Sequence, residues 1–226
     1  MEVYPMEITA AAQWLNTTFA SFDQNITLLV HRLYDVAGNF CSPFFEFISL
    51  LGKDGIFLVL LSLALMLFRP TRRFGTAMLF GVAIGALFTN LFLKVVIARP
   101  RPYADENSVF YQLWMIMGQH MESDKSFPSG HTTAAFSTMT ALFFIGNKRY
   151  SWTAFIFAIL MGISRIYLVV HFPSDVLGGI IVGFIAGCLG AILANNLPDI
   201  WYTVRLFKGK AGKEPCLDLE SSDLKA

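Results

Sequence analysis

Charged residues are scarce in this chain: they make up 15% of its 226 residues and leave a formal net charge of only +1. A balance so close to neutral says nothing by itself about an acidic partner, because the positions of the charges matter more, and no nucleic-acid partner is expected. Cysteine is also scarce, and Cys41, Cys188 and Cys216 lack the spacing of a zinc site or a redox motif. Basic residues are missing before the first apolar run, so no cleavable signal segment is predicted.

Apolar residues dominate what is present. They account for 55% of the chain, and the mean hydropathy of +0.55 is typical of a protein that crosses a membrane several times. We predict an all-α fold, a polytopic membrane bundle of about five to six transmembrane helices. The first span is short and is expected to continue back through 44–52, with a bend at Gly52. The stretches that are apolar enough to span lie at about 54–69, 73–98, 131–147, 151–171 and 173–196.

The N-terminal segment has a different pattern. Apolar side chains recur at three- and four-residue steps from Leu15 to Leu33, with polar residues between them. This amphipathic periodicity favours a helix that lies on the membrane surface. We therefore divide the chain into an amphipathic interfacial helix at 1–37, a transmembrane domain at 38–200 and a cytoplasmic tail at 201–226.

Three basic segments predict the orientation in the membrane. They are the turn at 69–73, the turn at 147–149 and the tail beyond residue 204. If the spans alternate in direction, these segments share one side, and the positive-inside rule makes that side cytoplasmic. The segments 99–130 and 171–175 are then predicted to lie on the extracytoplasmic face.

Ionisable side chains cluster where the fourth predicted span ends. Such residues are costly at the edge of a span, which indicates a functional site. Arg165 offers a fork of donors that suits an oxyanion such as phosphate. His171 has Asp175 one helical turn later, and a carboxylate there can fix the tautomer of a nucleophilic histidine. The alternative interpretation is a helix boundary at Pro173 with a few snorkelling side chains.

Two other segments carry groups that suit an anion. The second span ends in Lys94, followed within eight residues by two arginines and two prolines, which is more cationic charge than membrane anchoring explains. The third span opens with Ser129-Gly130-His131, where the free amides of a helix start, a hydroxyl and a flexible glycine can cradle an anion. Alternating spans would bring all three segments to the same membrane face.

Together these segments resemble the three-part signature of the type 2 phosphatidic acid phosphatase (PAP2) superfamily. The resemblance covers about residues 40–195 and implies a helical membrane phosphatase. Many relatives have glycine two residues before the last histidine, where this chain has Val169. The matching positions are Lys94-x6-Arg101-Pro102, Pro128-Ser129-Gly130-His131 and Ser164-Arg165-x5-His171-x3-Asp175.

The resemblance also implies a role for each motif residue. His171 would attack phosphorus to form a phosphohistidine, Asp175 would orient it, and His131 would protonate the leaving oxygen. Arg99 falls outside the motif and is expected to be structural or to face the lipid headgroup. Phosphate oxygens would be bound by the remaining motif residues, Lys94, Arg101, Ser129, Gly130 and Arg165.

The predicted function is hydrolysis of a phosphate monoester or pyrophosphate of a membrane lipid, without a metal ion or other cofactor. For a small chain of this family the resemblance suggests undecaprenyl pyrophosphate. Phosphatidylglycerophosphate and phosphatidic acid are alternatives, as is a soluble substrate of the kind used by glucose-6-phosphatase. A lipid transporter or binding protein is the non-enzyme alternative. The expected partners are the lipid substrate and the bilayer, and the oligomeric state stays open.

Overall fold

The computed structural model describes residues 8–198 and 201–202, and this part of the chain is helical, without strands. The predicted all-α fold is confirmed. Short 3₁₀ turns at Gly38–Phe40, Lys53–Gly55 and Pro102–Ala104 and a π-helical segment at Leu87–Leu93 connect the longer helices. The α-helices are α1 (Ala10–Thr18), α2 (Ala20–Ala37), α3 (Ser42–Gly52), α4 (Ile56–Leu67), α5 (Arg72–Ala86), α6 (Lys94–Ile97), α7 (Val109–Ile116), α8 (Gly130–Ile145), α9 (Lys148–Ser151), α10 (Ala154–Tyr167) and α11 (Pro173–Asn195).

Helix α2 turns its polar side toward the protein, whereas α1 buries Ala12 and Leu15. The buried residues of α2 are Asp23, Thr27 and His31, spaced four apart on one face, whereas Phe22 and Leu29 are exposed. The predicted apolar stripe therefore exists and points outward, where lipid can cover it. Placement of segment 1–37 in the membrane interface stays a prediction, and residues 1–7 lie outside the described part.

Four helical stretches are long and apolar enough to cross a membrane: Ser42–Leu67, Arg72–Ala104, Lys148–Tyr167 and Pro173–Asn195. In the first of these, α3 and α4 are joined by a sharp turn in which Asp54 has a φ of 52°. The predicted continuation through 44–52 is confirmed, with the bend immediately after Gly52.

The remaining predicted span, 131–147, is α8, and it lies at the centre of the bundle. Its 16 residues are fewer than the roughly 20 that a bilayer requires. Every residue from Thr132 to Ala141 is buried, packed among α5, α10 and α11. Four of the five hydroxyl groups in this helix donate locally, as where Thr138 Oγ1 donates to the Ala134 carbonyl oxygen at 2.8 Å, and the buried Thr140 hydroxyl has no partner among the described residues.

Close packing of α11 against α8 depends on glycine. A Cβ atom added to Gly179, Gly183 or Gly187 would lie only 2.8, 2.8 and 2.5 Å, respectively, from backbone oxygens of α8 or of its N-cap residue. No side chain fits at such distances, so the two backbones approach more closely than other residues allow. This contact fixes the start of α8 against the start of α11.

The basic turns lie together at one end of the bundle. Arg72 Nη1 donates to the Trp201 carbonyl oxygen at 3.0 Å, which joins the first basic turn to the beginning of the tail. A Cβ atom on Gly146 would lie 3.3 Å from the Phe74 ring, so the second basic turn is close by. The three motif segments lie at the other ends of the same helices. Apart from residues 201–202, the predicted cytoplasmic tail, with its cations and Cys216, lies outside the described residues.

Candidate active site

A cavity of about 860 Å³ opens where the three motif segments meet. Its lining includes Lys94 and Arg101 from the second span, Gly130 and His131 from the start of α8, and His171 from the turn after α10. The two imidazoles therefore reach one cavity, as predicted. Three separate parts of the chain supply its charged groups, which explains why no single motif indicates the whole site.

The contacts of His171 favour one tautomer. Arg101 Nη1 lies 2.9 Å from Nε2 and 3.4 Å from Nδ1, and because an arginine can only donate, the shorter contact favours Nε2 as the acceptor, with no proton on it. The ring proton is then on Nδ1, 3.5 Å from Asp175 Oδ2. His171 is 2% exposed and lies between two spans, outside both. Burial lowers the pKa of His171 well below its usual value, and the charges of Arg101 and Arg165 lower that pKa further.

Asp175 is fixed at the start of α11. Its Oδ2 accepts from the Phe172 amide at 2.9 Å and from the Ser126 hydroxyl, so the carboxylate caps the helix that carries it. Its Oδ1 accepts from Arg99 Nη1 at 2.6 Å. Arg99 falls outside the motif and was expected to be structural or to face the lipid headgroup; it bonds the motif carboxylate directly. The sequence signal for this role was the position of Arg99, two residues before the motif residue Arg101.

Each of the three motif cations is paired with a carboxylate of the segment that precedes α8. Asp124 pairs with Lys94 through Oδ2 and with Arg101 through Oδ1. Glu122 pairs with Arg165, whose other terminal nitrogen donates to the Ser49 hydroxyl. Sequence reasoning missed these acids, because their only signal was a loop position between two motif segments.

Asp124 is strongly stabilised in its ionised form. Burial alone would raise the pKa of Asp124, but the hydrogen bond and charge of Lys94, together with the charge of Arg101, outweigh it, so the pKa lies below its usual value. The carboxylate therefore stays ionised near neutral pH and occupies the donors that would otherwise face an anion. A phosphate entering the cavity must displace it.

The predicted phosphate cradle is only partly directed at the cavity. A Cβ atom on Gly130 would lie 3.4 Å from Lys94 Nζ, so the glycine leaves room beside the cation. Ser129 is fully buried as the N-cap of α8, and its Oγ accepts from the Thr132 hydroxyl at 3.0 Å. The Ser129 hydroxyl thus holds the start of the helix, and phosphate binding by this residue stays a prediction.

His131 is positioned by the bent first span. A Cβ atom added to Gly52 would lie 2.7 Å from His131 Cδ2 and 2.6 Å from Met161 Sδ. The imidazole therefore packs against bare backbone at the end of α3, where a larger residue would push it aside. Asp54 and Gly55 of the bend that follows Gly52 line the same cavity as the ring.

Val169 occupies the position where relatives have glycine, and its backbone explains their preference. Its φ is 54°, in the left-handed region that costs a β-branched residue about 1–2 kcal/mol. The next residue, Val170, presents its carbonyl oxygen to Arg101 Nη1 at 2.7 Å. This strained turn therefore aims both the Val170 carbonyl and the His171 ring at the same arginine.

One side of the cavity is largely apolar and reaches the surface of the bundle. Val82 and Ala134 line this side, and Ala86 and Val95 line it along the second span, with the polar residues Thr89 and Asn90 between them. Ala86 and Val95 are exposed, so the cavity opens laterally between helices rather than only at the membrane surface. A lateral opening of this kind suits a ligand with one charged end and one apolar end.

Comparisons with known proteins agree with this geometry. A family model described as the PAP2 superfamily matches residues 74–198. The undecaprenyl-diphosphatase BcrC of Bacillus subtilis is 32% identical over 156 residues, which cover 68% of this chain and 77% of that protein. The lipid A 4'-phosphatase of Bacteroides thetaiotaomicron is 27% identical, covering 69% of this chain and 72% of its own length. A PAP2-type phosphatidylglycerolphosphate phosphatase from Bacillus subtilis superposes with a TM-score of 0.62 at 25% identity, covering 83% of this chain and 92% of that structure.

Proposed function

Because the chain belongs to the PAP2 superfamily of membrane phosphatases, we propose that it hydrolyses the terminal phosphate of undecaprenyl pyrophosphate, giving the lipid monophosphate and inorganic phosphate. The observation that carries the proposal is the contact of His171 Nε2 with Arg101, in a cavity that Lys94 and His131 also line. The lipid named is that of the relative with 32% identity. Lipid A and phosphatidylglycerolphosphate are named for other relatives and are the competing substrates.

Binding of the terminal phosphate is an exchange of anions. Its oxygens take the places of the Asp124 and Glu122 carboxylates on Lys94, Arg101 and Arg165. The exchange is favourable for a phosphate that carries more negative charge than the carboxylates it displaces, because the cations are buried and weakly screened. A diphosphate is therefore a better competitor than a singly charged phosphodiester.

The first chemical step transfers the phosphoryl group to His171. The Nε2 lone pair forms a bond to phosphorus while the bond from phosphorus to the leaving oxygen breaks, with its electron pair going to that oxygen. The leaving oxygen takes a proton from His131 and departs as the lipid monophosphate. The phosphorylated ring keeps its proton on Nδ1 and is cationic, so the nearby Asp175 carboxylate stabilises it.

The second step returns the enzyme to its starting state. Water attacks phosphorus and gives a proton to His131, which the first step left neutral. The bond between nitrogen and phosphorus breaks, and its electron pair returns to Nε2 of His171. Inorganic phosphate is then held by the same cations until the two loop carboxylates displace it. Over the two steps, one water molecule is consumed, the lipid monophosphate and inorganic phosphate are released, and both histidines regain their starting protonation states.

The apolar opening supports a lipid substrate. The isoprenoid chain would leave the cavity between Ala86 and Val95 and remain in the bilayer, while the diphosphate lies among the cations. We also propose that the catalytic end faces the extracytoplasmic side, because the basic turns lie at the opposite end of the bundle. The substrate would then be drawn from the outer leaflet.

A phosphate-release panel on purified protein tests the proposal. We expect kcat/KM for an isoprenoid diphosphate to exceed that for phosphatidic acid, phosphatidylglycerophosphate, lipid A and glucose 6-phosphate by at least about tenfold. Activity should persist in EDTA. The His171→Ala variant should lose at least about 10³-fold in kcat. A preference for another substrate in the panel would overturn the choice of lipid, and undiminished turnover by His171→Ala would overturn the mechanism.

A further inference from the structure

The buried face of α2 is polar where it meets the catalytic end. Asp23 is 2% exposed, and Thr27 and His31 continue the same face. A carboxylate this deeply buried is costly unless donors surround it. Asp23 Oδ1 accepts from the Ser174 amide at 2.7 Å, and its Oδ2 accepts from the Ser174 hydroxyl at 2.7 Å. An N-terminal helix is thus tied to the residue immediately before the motif carboxylate.

Arg99 joins Asp23 to the carboxylate behind the nucleophile. Its Nη2 donates to Asp23 Oδ2 at 2.9 Å, and its Nη1 donates to Asp175 Oδ1 at 2.6 Å. Its Nε donates to the Asn16 side-chain oxygen at 2.8 Å, and its guanidinium carbon lies 4.0 Å from the centre of the Phe172 ring. The guanidinium is therefore held in one orientation from α1, α2 and the start of α11.

The net charge of this group determines what His171 experiences. Arg99 alone would neutralise Asp175, and the resulting neutral pair would exert little electrostatic field on the His171 ring. With Asp23 ionised, the three side chains together carry one negative charge, and a buried environment makes that charge effective. It acts through Asp175 Oδ2, 3.5 Å from His171 Nδ1, and favours the cationic ring that phosphoryl transfer creates.

We propose that Asp23 and Arg99 are positioning residues for the nucleophilic step: Arg99 fixes the orientation of Asp175, and Asp23 keeps the assembly negative. The inference rests on the proposed function, because it takes His171 as the nucleophile. It gives the N-terminal helices a part in the reaction, although they precede the residues 74–198 that the family model matches. Neither residue exchanges a bond with the substrate, and both act through Asp175.

The Asp23→Asn variant tests the role of the charge while keeping the shape of the side chain. We expect kcat to fall about 10- to 100-fold and KM to change by less than about threefold. The acid limb of kcat/KM should move to lower pH, because loss of a nearby negative charge makes the His171 ring harder to protonate. The other charged or titratable groups that face this ring are unchanged in the variant: Lys94, Arg101, Glu122, Asp124, His131, Arg165 and Asp175.

Thr27→Val is the matched control on the same helix face. The Thr27 hydroxyl is buried and has no hydrogen-bond partner in the described part of the chain, so its loss should leave kcat and the acid limb unchanged. Wild-type kcat and an unmoved limb in Asp23→Asn would overturn the inference. A lower melting temperature with both kinetic values unchanged would also overturn it, since Asp23 would then contribute to stability alone.

A second variant tests the inference independently, in case the first does not fold. Ser174→Ala removes the hydroxyl shared by Asp23 and Arg99, and it should lower kcat in the same direction, by about threefold to tenfold. An unchanged kcat in Ser174→Ala contradicts the inference even if Asp23→Asn does not fold. Rapid quenching of the wild-type enzyme with labelled substrate separates the two proposals. Absence of phosphohistidine there overturns the proposed function, whereas its presence beside unaltered variants overturns only the positioning role.

Discussion

At the scale of single residues, the catalytic end keeps its charges in pairs. Lys94 and Arg101 share Asp124, Arg165 has Glu122, and Arg99 lies between two carboxylates. Buried cations without such partners would be strongly destabilising, so the pairing stabilises this end of the fold. The proposed nucleophile, His171, is neutral and is surrounded by these charged pairs. The pairing and the neutrality of His171 each lead to a testable prediction.

The pH–rate profile should be bell-shaped. His171 attacks only when neutral, and because burial and the neighbouring arginines lower its pKa, the ring stays neutral well below pH 6.5. The acid limb of kcat/KM is therefore expected below that value. The basic limb is expected in kcat, because the negative charge of the bound phosphate favours the protonated His131 that must donate, and this limb reports the loss of that proton. Initial rates from about pH 4 to about pH 9 provide the measurement, and a flat profile between about pH 5 and pH 9 would rule out this pair of roles.

Removal of the Asp124 charge should tighten phosphate binding. In Asp124→Asn the anion that competes for Lys94 and Arg101 is neutral, so KM for the substrate and Ki for inorganic phosphate should fall about threefold to tenfold. Product inhibition should increase for the same reason. Glu106→Gln, at an exposed position of the same connecting segment, makes the same change in net charge and should leave both constants unaltered. Equal constants in both variants would show that Asp124 does not compete.

At the scale of elements, the sequence predicted the helices well and their contacts poorly. Apolar runs and terminal prolines are local signals, so the spans at 73–98 and 173–196 were found close to their observed positions. The inward polar face of α2 could not be found, because Asp23 becomes a buried residue only when Arg99 and Ser174 meet it. The same holds for the acids that pair with the motif cations. Tertiary contacts, not periodicity, give those residues their roles.

The contact between Gly52 and His131 makes a prediction for the bent span. In Gly52→Ala the new methyl group would overlap the imidazole and the Met161 thioether, so the ring must move. We expect kcat to fall by about 10²-fold with KM nearly unchanged, since the cations that bind phosphate are not displaced. Leu50→Ala changes an exposed side chain of the same helix and should retain activity. Wild-type kcat in Gly52→Ala would mean that His131 is not held by this contact.

At the scale of the whole molecule, the helices separate two chemically different ends. The basic turns at 69–73 and 147–149 lie at one end, and the catalytic cavity lies at the other. Integral membrane placement follows from the four apolar stretches and the family. The division of the chain at residues 38 and 200 stays a prediction, as does the side of the membrane that the cavity faces.

Cysteine labelling of intact cells tests the orientation. In a background with Cys41, Cys188 and Cys216 replaced by serine, Glu106→Cys should react with a membrane-impermeant maleimide. Tyr150→Cys, near the second basic turn and also exposed, should react only after the membrane is permeabilised. The reverse labelling pattern would place the cavity on the cytoplasmic side and contradict hydrolysis in the outer leaflet.

The shortness of α8 ties the enzyme to the thickness of its membrane. Sixteen helical residues rise about 24 Å, against a hydrocarbon core of about 30 Å. If its basic end lies at the cytoplasmic interface, as proposed, the start of α8 lies about 6 Å inside the opposite boundary of the hydrocarbon core, and the diphosphate must enter to that depth to reach His171. Lipids with longer acyl chains would lengthen the descent and shorter ones would reduce it. The rate of catalysis should therefore depend on the thickness of the bilayer.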